Sequence, residues 1–195
     1  MRLPLEELAD IRVGLTLRGA DAGSRQAEGG PHYLRISDLT ETGRLDIRTP
    51  HPMDLGTSSL ERFLVQRKDI VLASRGSRLT AALIEGPLHA VVGGQLFQIR
   101  ANSNLILPEF LHAYINLPAT QTLLLGQTVG SNIKTLTASA LRATPIPVPP
   151  LEIQRKIVAL RRLQEEESRL VARIDGLRRL LVEQSITRLL QNSPA

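Results

Sequence analysis

The groups in this chain that could do chemistry are four histidines, no cysteine, and three glycine-containing loops that carry arginine or lysine. His32, His51, His89 and His112 are scattered and lack the i, i+4 or paired spacing of a metal site. The absence of cysteine removes disulfides, thiolate metal ligands and thiol nucleophiles together. There is no G-x-x-x-x-G-K-S/T phosphate loop and no G-x-S-x-G nucleophile elbow. Residues 91–95 are glycine-rich but lack the G-x-G-x-x-G spacing of a dinucleotide site, and a turn explains them. No two acids can be argued to meet as a general acid and base. We therefore assign no catalytic residue and no metal site, and the chain reads as a binding module. The three loops remain. Residues 18–26 hold Arg18 and Arg25, residues 74–78 hold Arg75 and Arg78, and residues 128–134 hold Ser131, Asn132 and Lys134. Glycine lets a backbone approach phosphate, serine and asparagine donate hydrogen bonds, and arginine pairs bidentately with phosphate or with guanine edges.

Composition narrows the partner. The 195 residues carry a net charge of +5, supplied by 21 Arg and 3 Lys. An arginine-rich surface permits nucleic-acid binding, although a GC-rich coding bias produces the same imbalance. Aromatic residues make up only 3% of the chain. Single-strand binders and RNA-reading sheets stack bases on aromatic side chains, so any nucleic-acid partner is expected to be double-stranded DNA. No apolar stretch approaches the roughly 20 residues of a membrane span. Glu6 and Glu7 stand where a signal peptide needs apolar residues, so a cytoplasmic protein without a membrane partner is expected.

The elements that must position these loops divide near residue 150. Residues 144–150 contain four prolines, which forbid a helix interior and stiffen the chain into a hinge. Residues 1–143 read as a mixed α/β (α+β) globular domain. Residues 33–37 alternate apolar and polar as a half-buried strand does, residues 45–47 continue that style, and residues 69–73 suggest a buried strand. Residues 81–84 and 89–92 flank Gly86-Pro87 and suggest a hairpin, and residues 95–100 alternate again. Pro108 opens a helix, residues 119–125 form a second that ends at Gly126, and Thr137 caps a short third. Residues 151–192 read as one long C-terminal helix, about 60 Å at 1.5 Å per residue. Its apolar residues recur by fours and threes at Ile153, Ile157 and Leu160, then at Leu170, Ile174, Leu177 and Leu181. Between the two runs lies Gln164-Glu165-Glu166-Glu167-Ser168, an interruption that argues against a strict coiled coil. A stripe this long must pack against something outside its own domain. A helix folded back near the acidic run or Gly176 is the other arrangement.

One stretch is more specific. Gly130-Ser131-Asn132-Ile133-Lys134 leads through a short helix to Ile146-Pro147-Val148-Pro149-Pro150-Leu151-Glu152-Ile153-Gln154 and then the long helix. This resembles the specificity subunits of type I restriction–modification systems, whose recognition domains close on an I-P-x-P-P-x-x-E-Q type segment. The Glu-Gln pair of that pattern appears here as Ile153-Gln154, with the acid at Glu152. Leu8-Ala9-Asp10-Ile11, residues 33–39, Asp69-Ile70-Val71-Leu72 and Pro108-Glu109-Phe110-Leu111 are similar to successive family segments, with Lys68 where glycine is usual. The resemblance implies a non-catalytic DNA target recognition domain reading one half of a split duplex site. It implies a helix that acts as a spacer and docks a methyltransferase subunit, with or without a restriction subunit. S-adenosylmethionine would then be bound by that methyltransferase, and no cofactor by this chain. One domain and one helix look like a half-subunit, and the lone stripe invites an antiparallel copy of itself as a homodimer. Recognition residues vary within such families and do not transfer, so the loop assignments rest on chemistry alone. The competing reading is a protein–protein adaptor with a peptide-binding α/β domain and an oligomerising helix.

Overall fold

The computed structural model describes residues 1–17, 30–47, 52, 61–130 and 133–191, and the side chains of residues 61, 189 and 190 are left aside. Arg18, Arg25, Ser131 and Asn132, expected above to contact DNA, lie outside the described residues. The chain falls into two units, Met1–Arg155 and Lys156–Ala195.

The first unit is built on a four-stranded antiparallel sheet. Its strands are β2 (Ala9–Val13), β4 (Ile70–Ala73), β5 (Ala81–Leu83) and β7 (Leu96–Ala101), in the order β2-β7-β4-β5. All four residues of β4 are buried, which is why its sequence is a continuous apolar run rather than an alternation. Two smaller sheets complete the unit. β1 (Arg2–Pro4) pairs antiparallel with β8 (Pro145–Pro147), and β3 (His32–Leu34) pairs parallel with β6 (Ala90–Val92). Leu34 of β3, Val71 of β4, Val92 of β6 and Leu96 of β7 meet in one buried cluster.

The proline-rich segment is thus seated on the chain's own N-terminus. Leu5 N donates to Thr144 O at 3.0 Å, and Val148 N donates to Met1 O at 3.0 Å. Proline's fixed φ suits this short edge pairing, where few donors are required.

Two strand expectations are corrected. The proposed hairpin of residues 81–84 and 89–92 does not form, because β5 pairs with β4 and β6 with β3. The free edge of β5 is already occupied by side-chain amides. The Asn116 Oδ1 accepts from Ala81 N at 3.2 Å while its Nδ2 donates to Ala81 O at 2.9 Å. Gln121 repeats the arrangement on Leu79, with 3.0 and 2.9 Å bonds. These two amides do for the edge what a fifth strand would, and they close it against other chains. The strand expected over residues 33–37 stops at Leu34. The Asp38 carboxylate accepts from Arg35 N at 2.9 Å and folds Ile36–Asp38 into a 3₁₀ turn.

Helix α1 (Leu5–Leu8) is a single turn. α2 (Pro108–Ile115) and α3 (Pro118–Gly126) each begin with proline at the first turn, where a missing N–H costs nothing. Thr137 Oγ1 accepts from Ala140 N at 3.2 Å and caps α4 (Ala138–Ala143). α5 (Leu151–Gln191) runs 41 residues without a break, through the acidic run and Gly176, so the folded-back arrangement does not occur.

The start of α5 is fastened to the first unit by Gln154, which is fully buried. Its Nε2 donates to Leu105 O at 3.1 Å and Pro149 O at 2.8 Å, and its Oε1 accepts from Leu107 N at 2.8 Å. Gln154→Ala strands three backbone groups, and we expect a loss of about 2 kcal/mol in unfolding free energy, read from urea denaturation of the full chain.

Candidate nucleic-acid interface

The loop that carries Arg75 and Arg78 leaves the C-terminal end of β4. Ser74 anchors its first residue, with both Ser74 N (3.0 Å) and Ser74 Oγ (2.8 Å) donating to Gln95 O. Ala73 N donates to Thr80 O at 2.9 Å and closes the loop's far end. Gly76 supplies the left-handed backbone (φ 123°) that the tight turn needs.

The loop of residues 128–134 is brought against it. Val129 and Thr135 exchange two backbone hydrogen bonds of 2.9 Å, Arg75 bridges Thr135 antiparallel, and Leu136 N donates to Ser74 O at 2.7 Å. Gly130 sits at φ 107°, and a Cβ there would stand 2.5 Å from Ile133 O, so only glycine fits. The described residues of two of the three loops singled out by sequence are therefore joined. Lys134 and Arg78 are exposed, and Arg75 is half-buried.

Arg75 has an unusual feature. Its Nε is buried and has no hydrogen-bond partner among the described residues. A guanidinium nitrogen held away from water and left unpaired lowers stability unless something else requires it. Arg100 is the contrast. Its Nε and Nη2 both donate to the buried Asp69 carboxylate at 2.8 Å, and that hydrogen bonding raises its pKa above the ordinary value despite burial.

Sequence reasoning passed over a second feature on this side of the fold. Tyr33 Oη donates to Leu15 O at 2.7 Å and accepts from Gly94 N at 3.1 Å, which fixes the Gly93–Gly94 turn that precedes Gln95. A shallow cavity opens there, with the exposed Arg35 and Ser37 and the side of Gln95 in its lining. Arg35 and Ser37 are polar positions of the alternating segment 33–37, and that alternation was the available signal.

The apolar stripe runs along α5. Ile153, Leu160, Leu170, Ile174, Leu177 and Leu181 are exposed, and Ile157 is half-buried. Among the described residues there is no group of three or more His, Asp or Glu able to hold a metal ion. None of the described helices is long and apolar enough to cross a membrane.

The chain is similar in sequence and fold to known proteins. The EcoBI type I restriction enzyme specificity subunit of Escherichia coli is 24% identical over 133 residues, 66% of this chain and 27% of that protein. The specificity (HsdS) subunit from Thermoanaerobacter tengcongensis superposes with a TM-score of 0.58 at 20% identity, over 85% of this chain and 37% of its own. The type I S subunit from M. genitalium gives 0.61 at 14% identity, over 94% and 44% respectively. The chain thus shares their fold and spans less than half the length of each. The sequence profile of the type I restriction modification DNA specificity domain matches residues 3–165, and the chain belongs to that family.

Proposed function

We propose that this chain is a non-catalytic DNA-reading component of a type I restriction–modification assembly in the cytoplasm. Its first unit reads one half of a bipartite duplex target, and α5 spaces that reader from a second one and docks the methyltransferase subunit. The observation that carries the reading is the joining of the Arg75–Arg78 loop to the Lys134 loop through the Thr135 bridge. A basic loop pair joined in this way suits duplex grooves: lysine would serve as a phosphate contact, and the arginines would reach phosphates or guanine edges. The second reader is supplied by a copy of the chain, paired antiparallel through the exposed stripe of α5. Two identical readers related by a two-fold axis require an interrupted palindrome as target. S-adenosylmethionine enters with the methyltransferase.

Capture of the tagged full chain from lysate of its source cells tests the assembly. A DNA methyltransferase is expected in the eluate in stoichiometric amount. A steady partner of another kind with no methyltransferase would favour the adaptor reading and leave the basic charge without a role.

A further inference from the structure

We infer that Glu166 and Arg173 fix the orientation and register in which two copies of α5 pair, and with them the distance between the two DNA readers. This rests on the antiparallel pairing proposed above. Because α5 is one unbroken helix, its positions can be counted straight through the acidic run. Leu160, Glu167, Ile174 and Leu181 fall at the first core position of a seven-residue repeat, and Leu163, Leu170 and Leu177 fall at the second. The apparent interruption of the stripe is thus a single acid, Glu167, at one core position of a continuous heptad. Glu166 and Arg173 flank the core on one edge, seven residues apart, and Arg178 flanks it on the other edge.

Charge complementarity then selects one arrangement. In a parallel pair, Glu167 meets the partner's Glu167 in the core, and each Arg173 lies beside the partner's Arg178. Both contacts are repulsive, and one is desolvated. In an antiparallel pair, first core positions face second ones, and the edge carrying Glu166 and Arg173 faces its own copy. With the two-fold axis between residues 168 and 169, Leu160 meets the partner's Leu177 and Leu163 meets the partner's Ile174. Glu166 then faces the partner's Arg173, and this pair occurs twice. Glu167 lies in the same layer as the partner's Leu170, within reach of that Arg173. A slip of one heptad in one direction sets Arg173 against Arg173, and in the other direction Glu166 against Glu166. Within one chain, Glu166 pairs with Arg169 across an exposed i, i+3 contact of 2.6 Å, which competes weakly.

The register has a length consequence. It places the two copies of Leu151 about 50 Å apart along the helices, at 1.5 Å per residue. Each one-heptad slip changes that by about 10 Å, the axial length of about three base pairs of duplex. Two side chains therefore set the gap in the bipartite target.

The chain has no native cysteine, so the test is direct. Full chains carrying Leu163→Cys and Ile174→Cys are purified separately, mixed and oxidised. The mixture is expected to form covalent dimers, and neither variant is expected to do so alone. Cross-linking of Leu163→Cys with itself would establish a parallel pair, and cross-linking of Leu163→Cys with Leu181→Cys a slipped one. Either would overturn the inference while leaving the copy-to-copy pairing intact. A chain that stays monomeric in sedimentation would overturn the pairing itself. Charge exchange gives an independent readout. Glu166→Arg and Arg173→Glu should each weaken self-association by roughly tenfold or more, while mixing the two variants restores association as a heterodimer. Equal self-association of both single variants and wild type would remove Glu166 and Arg173 from the role.

Discussion

Replacing Arg75 and Arg78 together with alanine is expected to weaken binding of the assembly to its selected duplex by roughly a hundredfold, with relaxed sequence choice at one or two positions. Each bidentate arginine–base contact is worth roughly 1–3 kcal/mol of discrimination, so the loss of two spans that range and more. The structure separates this effect from damage to the fold. The loop is held by Ser74, Gln95, Thr80 and the Thr135 bridge, all through groups other than the two arginine side chains. Arg75 also holds a buried Nε that has no partner among the described residues, a cost that alanine relieves. Thermal unfolding of the double variant should therefore be unchanged or occur at a slightly higher temperature. Lys134→Ala gives the comparison. As a phosphate contact it should weaken binding to all sequences alike and reduce the steepness of the salt dependence by about one counterion. If the double arginine variant keeps both affinity and sequence choice, the reading loop lies elsewhere, with Arg35 and Ser37 beside the Gly93–Gly94 turn as the next residues to replace.

Asp69→Ala is expected to cost about 3 kcal/mol of unfolding free energy, the largest single loss of stability in the first unit. The Asp69 carboxylate is buried and accepts four hydrogen bonds. They come from Gln66 N at 2.8 Å, Gln98 Nε2 at 2.7 Å, and Arg100 Nε and Nη2 at 2.8 Å each. Removing the acceptor leaves a guanidinium and two N–H donors facing an empty space. Breaking one side of such a buried pair typically costs 3–5 kcal/mol, and the lower end applies because Arg100 is about one-third exposed (34%) and regains some water. Asp69→Asn should lose less, since its carbonyl keeps one acceptor. The change is local to the turn that enters β4, so the urea m-value should not move, and a falling m-value would indicate a wider loss of structure. Because β4 delivers the Arg75 loop, DNA binding should fall only as far as the folded fraction falls.

Much of this was legible where the signal is local. Proline at a first helical turn marked α2, the stop at Gly126 marked α3, Thr137 marked α4, and fours-and-threes spacing marked α5 as far as its last turns. The buried run of β4 was plain for the same reason. What the sequence hid was non-local. Ala90–Val92 has the look of a hairpin partner for Ala81–Leu83, and only the amides of Asn116 and Gln121, more than 30 residues away, make that edge unavailable. Gln154 stood out in the sequence only as part of the segment that leads into the long helix, and its burial is non-local, since two of its three hydrogen bonds go to backbone groups of Leu105 and Leu107. The convergence of the Arg75 and Lys134 loops likewise depends on one bridge at Thr135. Reading the α5 stripe as two separate runs concealed a continuous repeat, because a charged residue at a core position looks like a break until the helix is known to continue.

The most direct test is selection of duplexes from a random library by the chain assembled with the methyltransferase subunit proposed as its partner, followed by sequencing of the bound pool. This reading predicts an interrupted palindrome: two identical half-sites in inverted orientation, separated by a gap of fixed length that carries no sequence preference. Enrichment of a single continuous site, or of no site, would contradict it.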